Sequence, residues 1–163
     1  MFTLRDQTVV HAPLDRCFLL STSVALVEKE LRMHPVSGRT TGFVVGGDTV
    51  KWKGWQLGLP HFHESLISRF EPSIFFQDTM LAGRFAFFQH DHALSENIDG
   101  TVTLADELRF SMPFGWLGRL VGRFIMVPHI RNLLKRRFAL LKRIAETEEW
   151  RGYLPSGQTH LTV

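Results

Sequence analysis

Residues 100–121, GTVTLADELRFSMPFGWLGRLV, change period in mid-course. Up to Phe110 the residues alternate, with Val102, Leu104, Leu108 and Phe110 on one face and Thr101, Thr103, Glu107 and Arg109 on the other. That is the period of a strand with one buried face. Beyond Pro113, Leu117, Leu120, Val121, Phe124, Leu134, Phe138, Leu141 and Ala145 recur at helical spacing. A strand therefore hands over to a long terminal helix, and the fold depends on what precedes that strand.

Upstream the strand period persists. It predicts strands over Thr41–Val45, Thr49–Leu57, Phe62–Phe70, Ser73–Leu81, Arg84–Leu94 and Gly100–Phe110. The breaks are Gly46-Gly47-Asp48, Gly58-Leu59-Pro60, Glu71-Pro72, Ala82-Gly83 and Glu96-Asn97-Ile98-Asp99. Connections this short favour an antiparallel meander, because parallel strands need long crossovers. Earlier still, Phe2–His11 reads as a strand ending at Ala12-Pro13. Leu14–Leu20 and Val24–Leu31 read as two short helices, with Ser21-Thr22-Ser23 offering a cap to the second.

The terminal helix contains Pro128, which removes a backbone donor and should kink it or start a new segment. The longer piece, from Pro128 to about Glu149, carries one apolar stripe, with Arg131, Lys135, Arg136, Lys142 and Arg143 on its other side. From Gly152 onward, through Pro155-Ser156-Gly157, a frayed tail is expected. The expectation is an α+β domain over residues 1–150 with a tail over 151–163. A curved antiparallel sheet of about seven strands, two short helices after the first, would wrap around the long helix and cover each apolar face.

Composition narrows the function. Hydrophobic residues make up 44% of the 163-residue chain and charged residues 21%, the balance of a folded globular domain. Fourteen phenylalanines against one tyrosine need a large interior, or a cavity to line. A formal charge of +3 is too mild to argue for a nucleic-acid partner. No apolar run approaches the roughly 20 residues of a bilayer span. The opening Met1-Phe2-Thr3-Leu4-Arg5-Asp6 turns charged too early for a signal peptide. Cys17 is the lone cysteine and forms no internal disulfide, so a reducing, cytoplasmic setting is expected.

The candidate site comes from polar residues in apolar registers. Asp106 shares the face of Leu104 and Leu108. One strand back, His90 and His92 share the face of Phe88 and Leu94, and before that Asp78 shares the face of Phe76 and Met80. If the last hairpin turns about Ile98, His90 lies across from Asp106 and His92 across from Leu104. Asp78, His90, His92 and Asp106 would then sit on one concave wall among Phe76, Phe88 and Leu104. Trp116, near the mouth, and Phe124 would complete the lining. Such a cluster either ties strands together, orients a ligand carbonyl or hydroxyl, or moves protons. A carboxylate beside an imidazole would raise the histidine's pKa and choose its tautomer.

Other chemistries are weaker. His61-Phe62-His63 and His90-Asp91-His92 each project two imidazoles to one side of a strand, but no third ligand has diagnostic spacing, and no metal is expected. His61 follows Pro60 at a strand start, where exposure is expected. Cys17 falls on the apolar side of a short helix, the setting of an inert thiol. Gly46-Gly47-Asp48 precedes a strand rather than a helix, so it is no phosphate loop, and no cofactor is expected. Trp52 and Trp55 differ in parity, which sends one inward and one to the exposed face.

Several stretches resemble, in this order, small bacterial members of the SRPBCC helix-grip superfamily. They are Ala12-Pro13-Leu14-Asp15-Arg16-Cys17-Phe18, then Phe76-Gln77-Asp78-Thr79-Met80 with Gly83-Arg84-Phe85 and His90-Asp91-His92. After them come Asp106-Glu107-Leu108-Arg109-Phe110-Ser111-Met112-Pro113, Gly115, Leu117-Gly118 and Arg137-Phe138 on a basic helix. That superfamily includes START lipid-transfer domains, aromatase/cyclases and pollen-allergen-type carriers. The resemblance covers nearly the whole chain and implies a carrier or sensor of a hydrophobic small molecule held between sheet and helix. An alternative it implies is a cyclase/dehydratase-type enzyme using His90 or His92 with Asp106 for proton transfer. A third reading is a peripheral membrane or protein-interaction module using the basic helix face, with transient surface contact only. Oligomeric state is left open by the sequence.

Overall fold

In the computed structural model, which describes residues 1–154, the alternating stretches pair into one antiparallel sheet. Its strands are β1 (Phe2–Val10), β2 (Met33–Gly38), β3 (Thr49–Gln56), β4 (Leu59–Glu71), β5 (Phe75–Ala82), β6 (Phe87–Glu96) and β7 (Val102–Ser111). They lie in the order β1-β7-β6-β5-β4-β3-β2, a meander with the first strand added beside the last. Helices α1 (Leu14–Thr22) and α2 (Val24–Leu31) follow β1, and α3 (Gly115–Val121) and α4 (Val127–Glu146) follow β7. This is the α+β arrangement expected, seven strands curved around a long C-terminal helix.

The stripe on α4 explains where that helix lies. Ile130 and Leu134 pack with Leu4, Leu108 and Phe110 at one end of the sheet. Further along, Phe138, Leu141 and Ile144 join Val10, Val102 and Leu104, together with Phe18 and Leu20 of α1. Each such side chain contributes about 1.5–3 kcal/mol on burial, so the stripe anchors the helix. Its far end is tied by polar contacts as well. Lys142 Nζ donates to the Val9 carbonyl at 2.7 Å, and the His11 amide donates to Glu146 Oε1 at 2.8 Å.

Three local expectations are corrected. Thr41–Val45 is not a strand of the sheet; Gly42 turns left-handed, and the segment closes the end of the helix pair instead. There the Val24 amide donates to the Gly42 carbonyl and the Val44 amide to Thr22. The strand that takes its place is β2, concealed in the sequence by Pro35. Proline is tolerated there because β2 is an edge strand, and the pairing with β3 slips between Pro35 and Ser37.

The cap is also different. Ser23 makes no side-chain cap, and Ser21 and Thr22 donate back to carbonyls of α1. Pro128, by contrast, marks the start of a new helical segment, one of the two outcomes expected of it. A π-helical turn over Gly122–Met126 precedes α4, and Pro128 falls in the first turn, where its missing donor is harmless. At the other end the chain stays packed beyond Gly152: Leu154 is buried against the core. The rest of the expected tail, with Pro155-Ser156-Gly157, lies outside the described residues.

Candidate functional site

Strand curvature leaves a cavity of about 530 Å³ between the concave face and α4. Trp52, Phe76, Phe88, Leu108, Ile130 and Leu134 give it apolar walls, and the exposed Leu57, Leu59 and Ile125 rim it. Polar groups converge on it from several strands. Asp78 on β5 lies directly across from His90 on β6, and His92 stands across from Asp106 on β7.

Beside the imidazoles lies a buried ionic network, two of whose members, Arg137 and Glu30, also line the cavity. Arg137 of α4 donates from Nε to Asp106 Oδ2 at 3.0 Å and from Nη1 to Glu30 Oε2 of α2 at 3.0 Å. His92 Nδ1 is 2.9 Å from Asp106 Oδ1. An ionised carboxylate only accepts, so the tautomer that satisfies it carries the hydrogen on Nδ1. Arg137 Nη2, 3.2 Å from the same nitrogen, then lies beside the ring without donating to it. His90 Nε2 is 3.2 Å from Asp106 Oδ2 but is not aligned for a hydrogen bond. Among the described residues, it and Asp78 Oδ1 are buried polar atoms without a hydrogen-bond partner.

Burial alone would raise Asp106, but the His92 ring and the Arg137 guanidinium outweigh it and hold the carboxyl well below its usual range. Glu30 is raised by burial, only partly offset by Arg137. Asp78 is pushed up to about 6 by burial, against the opposing pull of His90, Ser65 and Arg137. His92 goes the other way, down to about 3, through burial and the neighbouring His90. Asp106 does pull this histidine upward, as expected of a carboxylate, but desolvation and the neighbouring His90 are the stronger effects, so the net shift is down. His63, also on the cavity wall, falls to about 4 through burial and its neighbours His61 and His90.

No protein-family model matches the sequence, and no curated protein does. Solved structures do match over almost the whole chain. The Thermus thermophilus protein TTHA0849 is 12% identical with a TM-score of 0.66, over 87% of this chain and 95% of that one. Ara h 8.0201 is 12% identical at a TM-score of 0.62, over 88% and 97%. The major latex-like protein 151 of Panax ginseng is 10% identical at 0.63, over 90% and 98%. The chain has the helix-grip fold. Identities this low speak to backbone architecture alone.

Within the helix-grip cavity the expected residues divide. Asp78, His90, His92, Phe76 and Phe88 line it together. Asp106 is buried one layer behind the histidines, and Leu104 lies in the core away from the lining. Trp116 and Phe124 are each 68% exposed and do not line the cavity, because Gly118 and Gly122 turn the other side of their helix inward. The hairpin register also differs: His92, not His90, opposes Asp106. Asp99 accepts from the Thr101 amide and Gly100 is left-handed, which centres the turn beyond Ile98. The slip is two residues, so the inward face is unchanged.

Other positions depart from expectation. His61, expected exposed, is half-buried and lines the cavity, because β4 begins at Leu59 and only Gly54 lies across from it. Trp52 is the inward indole and Trp55 the exposed one, as parity requires. Cys17 is buried with its thiol pushed up to about 12, chiefly by desolvation, in keeping with an inert role. Arg137, quoted from the sequence only as part of the basic helix, and Glu30 are not among the expected site residues, although each sits in an apolar register, Arg137 beside Leu134 and Phe138, Glu30 one turn after Leu26.

His90, His92 and Asp106 place ligand atoms within 4.8 Å of one another, so the third metal ligand missing from the spacing exists in space. The residues fit a guanidinium better than a divalent ion. Arg137 Nε already takes Asp106 Oδ2, and a metal would have to displace a buried cation.

Proposed function

We propose that this protein binds an apolar small molecule in the cavity between sheet and α4, as a carrier or sensor. The observation that supports the reading is the pairing of apolar walls with two buried polar atoms, Asp78 Oδ1 and His90 Nε2, that make no hydrogen bond among the described residues. Sites that hold small molecules are built this way, with apolar area for affinity and a few polar groups for orientation. A ligand hydroxyl or carbonyl at that end would give these atoms the hydrogen bonds they otherwise lack. Asp106 acts behind them as the support that fixes the imidazoles, held by Arg137, which with Glu30 also lines the cavity.

Native mass spectrometry of freshly purified protein, with organic extraction of whatever co-purifies, tests the reading. A bound apolar species released by extraction is the expected result. A protein that stays empty and takes up no fatty alcohol, sterol or aromatic polyketone from solution would end it.

A cyclase/dehydratase-type proton-transfer reading draws on one specific observation. Asp78, raised to about 6 and directly opposite His90, is a carboxyl able to exchange a proton near neutrality. Asp106, held ionised by Arg137, is poorly suited to that role, so the acid–base pair on this reading is Asp78 with His90. Turnover lost in Asp78→Asn with ligand binding retained would distinguish enzyme from carrier.

A further inference from the structure

The segment that joins β7 to α4 is amphipathic the wrong way round for a helix covering a core. Its small residues face inward: a Cβ on Gly118 would strike the Pro113 carbonyl, and one on Gly122 would strike the Phe2 ring. Its large apolar residues face outward. Phe114 is 83% exposed, Trp116 and Phe124 are 68% exposed, and Leu117, Leu120 and Ile125 join them. Six bulky side chains within twelve residues make a contiguous patch rather than scattered surface residues. Phe114 is also held at φ +69°, a left-handed conformation that is uncommon for a bulky residue and found disproportionately where function demands it.

Charge narrows what could cover this patch. Arg119 and Arg123 are exposed within it, and no acidic residue occurs between Glu107 and Glu146. A second copy related by a twofold axis would set these arginines against their own counterparts with no carboxylate from the segment to relieve them. An anionic lipid surface complements both features at once, since apolar rings enter the headgroup boundary and guanidiniums meet phosphate. No described helix is long and apolar enough to cross a membrane, so the contact is with a surface. The patch also adjoins the cavity rim, where Ile125 stands with Leu57 and Leu59.

We infer that α3 and the following π-helical turn dock on anionic membrane surfaces through Phe114, Trp116, Leu120 and Phe124, flanked by Arg119 and Arg123. The cavity mouth is thereby presented to the bilayer. Docking is independent of whether the cavity holds a ligand, so its test leaves the proposed function standing or falling on its own.

The experiment is sedimentation of the full chain with sucrose-loaded vesicles, of phosphatidylcholine alone or in equimolar mixture with phosphatidylglycerol. The protein should partition onto the mixed vesicles, less onto phosphatidylcholine, and less again at high salt. A Trp116→Ser/Phe124→Ser double variant should lose about tenfold or more in partitioning while melting at the same temperature. Arg119→Gln/Arg123→Gln should lose the preference for anionic lipid. Protein left in the supernatant of mixed vesicles at low salt would overturn the inference. So would an undiminished double variant, or a larger loss from Arg131→Gln/Lys135→Gln/Arg136→Gln, which would assign binding to the α4 face. A wild-type dimer that becomes monomeric in the double variant would overturn it too, by making a second copy the occupant.

Discussion

Arg137 of α4 and Asp106 of β7 meet at 3.0 Å in a fully enclosed setting, each about 4% exposed. The contact joins the long helix to β7, the strand beside the β1 edge of the sheet, and Glu30 of α2 takes a second arm of the same guanidinium. One cation thus ties three elements together at the cavity wall. The two carboxylates it serves are buried groups that only a cation or a proton makes tolerable.

Removing that cation should therefore be severe. Arg137→Met is expected to destabilise the protein by about 3–5 kcal/mol, because it leaves Asp106 and Glu30 buried without a counter-charge. Combining it with Asp106→Asn should recover part of the loss, a coupling that urea denaturation of the two single variants and the double variant would measure.

Stability should fall on mild acidification. His92 and His63 titrate at about 3 and about 4 in the folded protein, against an ordinary value near 6.5, so they stay neutral where the unfolded chain takes up protons. His61 and His129 are displaced in the same direction by burial. Asp78, at about 6, and Glu30 work oppositely, since they bind protons more readily when folded. The imidazoles outnumber the carboxyls, so the unfolded state binds more protons between pH 6.5 and 4, and stability declines by roughly 1.4 kcal/mol per pH unit for each net proton. Thermal melts from pH 7 to pH 5 should show the decline, and His63→Gln should flatten it.

Ligand selectivity should depend on His90 more than affinity does. His90→Phe keeps apolar walls and removes one of the two buried polar atoms that make no hydrogen bond among the described residues. Binding of an alkane-like probe is expected to survive, while the preference for a fatty alcohol of equal chain length falls by about tenfold. Competition against a fluorescent apolar probe would show it. An unchanged preference would take His90 out of the site.

Gly118→Ala should destabilise despite alanine's higher helix propensity. The added Cβ meets the backbone carbonyl of Pro113, which has no flexible end to move aside. A loss of about 1–3 kcal/mol is expected from such overpacking, readable as a shifted urea midpoint with unchanged slope.

Much of this architecture was legible in residue order because strand and helix periods are local properties. Alternation alone turned Asp78, His90, His92 and Asp106 toward one side, and a slip of two residues in the last hairpin preserved that parity. The limits of local reading are equally plain at Pro35. It looks like a break, yet it is accepted at a sheet edge. Arg137 was readable by the same logic as Asp106, a charge in an apolar register, but the basic residues on the helix around it disguise it.

Period, parity and turn chemistry belong to the chain itself, and they determined the curved meander, its terminal helix and which strand side chains face inward. What only the tertiary structure decided is which of those inward groups touch. Of the two aspartates expected on the cavity wall, Asp78 lines it, whereas Asp106 lies behind it and pairs with Arg137, thirty-one residues away. The physical reason is that hydrogen bonds and desolvation depend on distances between elements, and no spacing along the sequence encodes those.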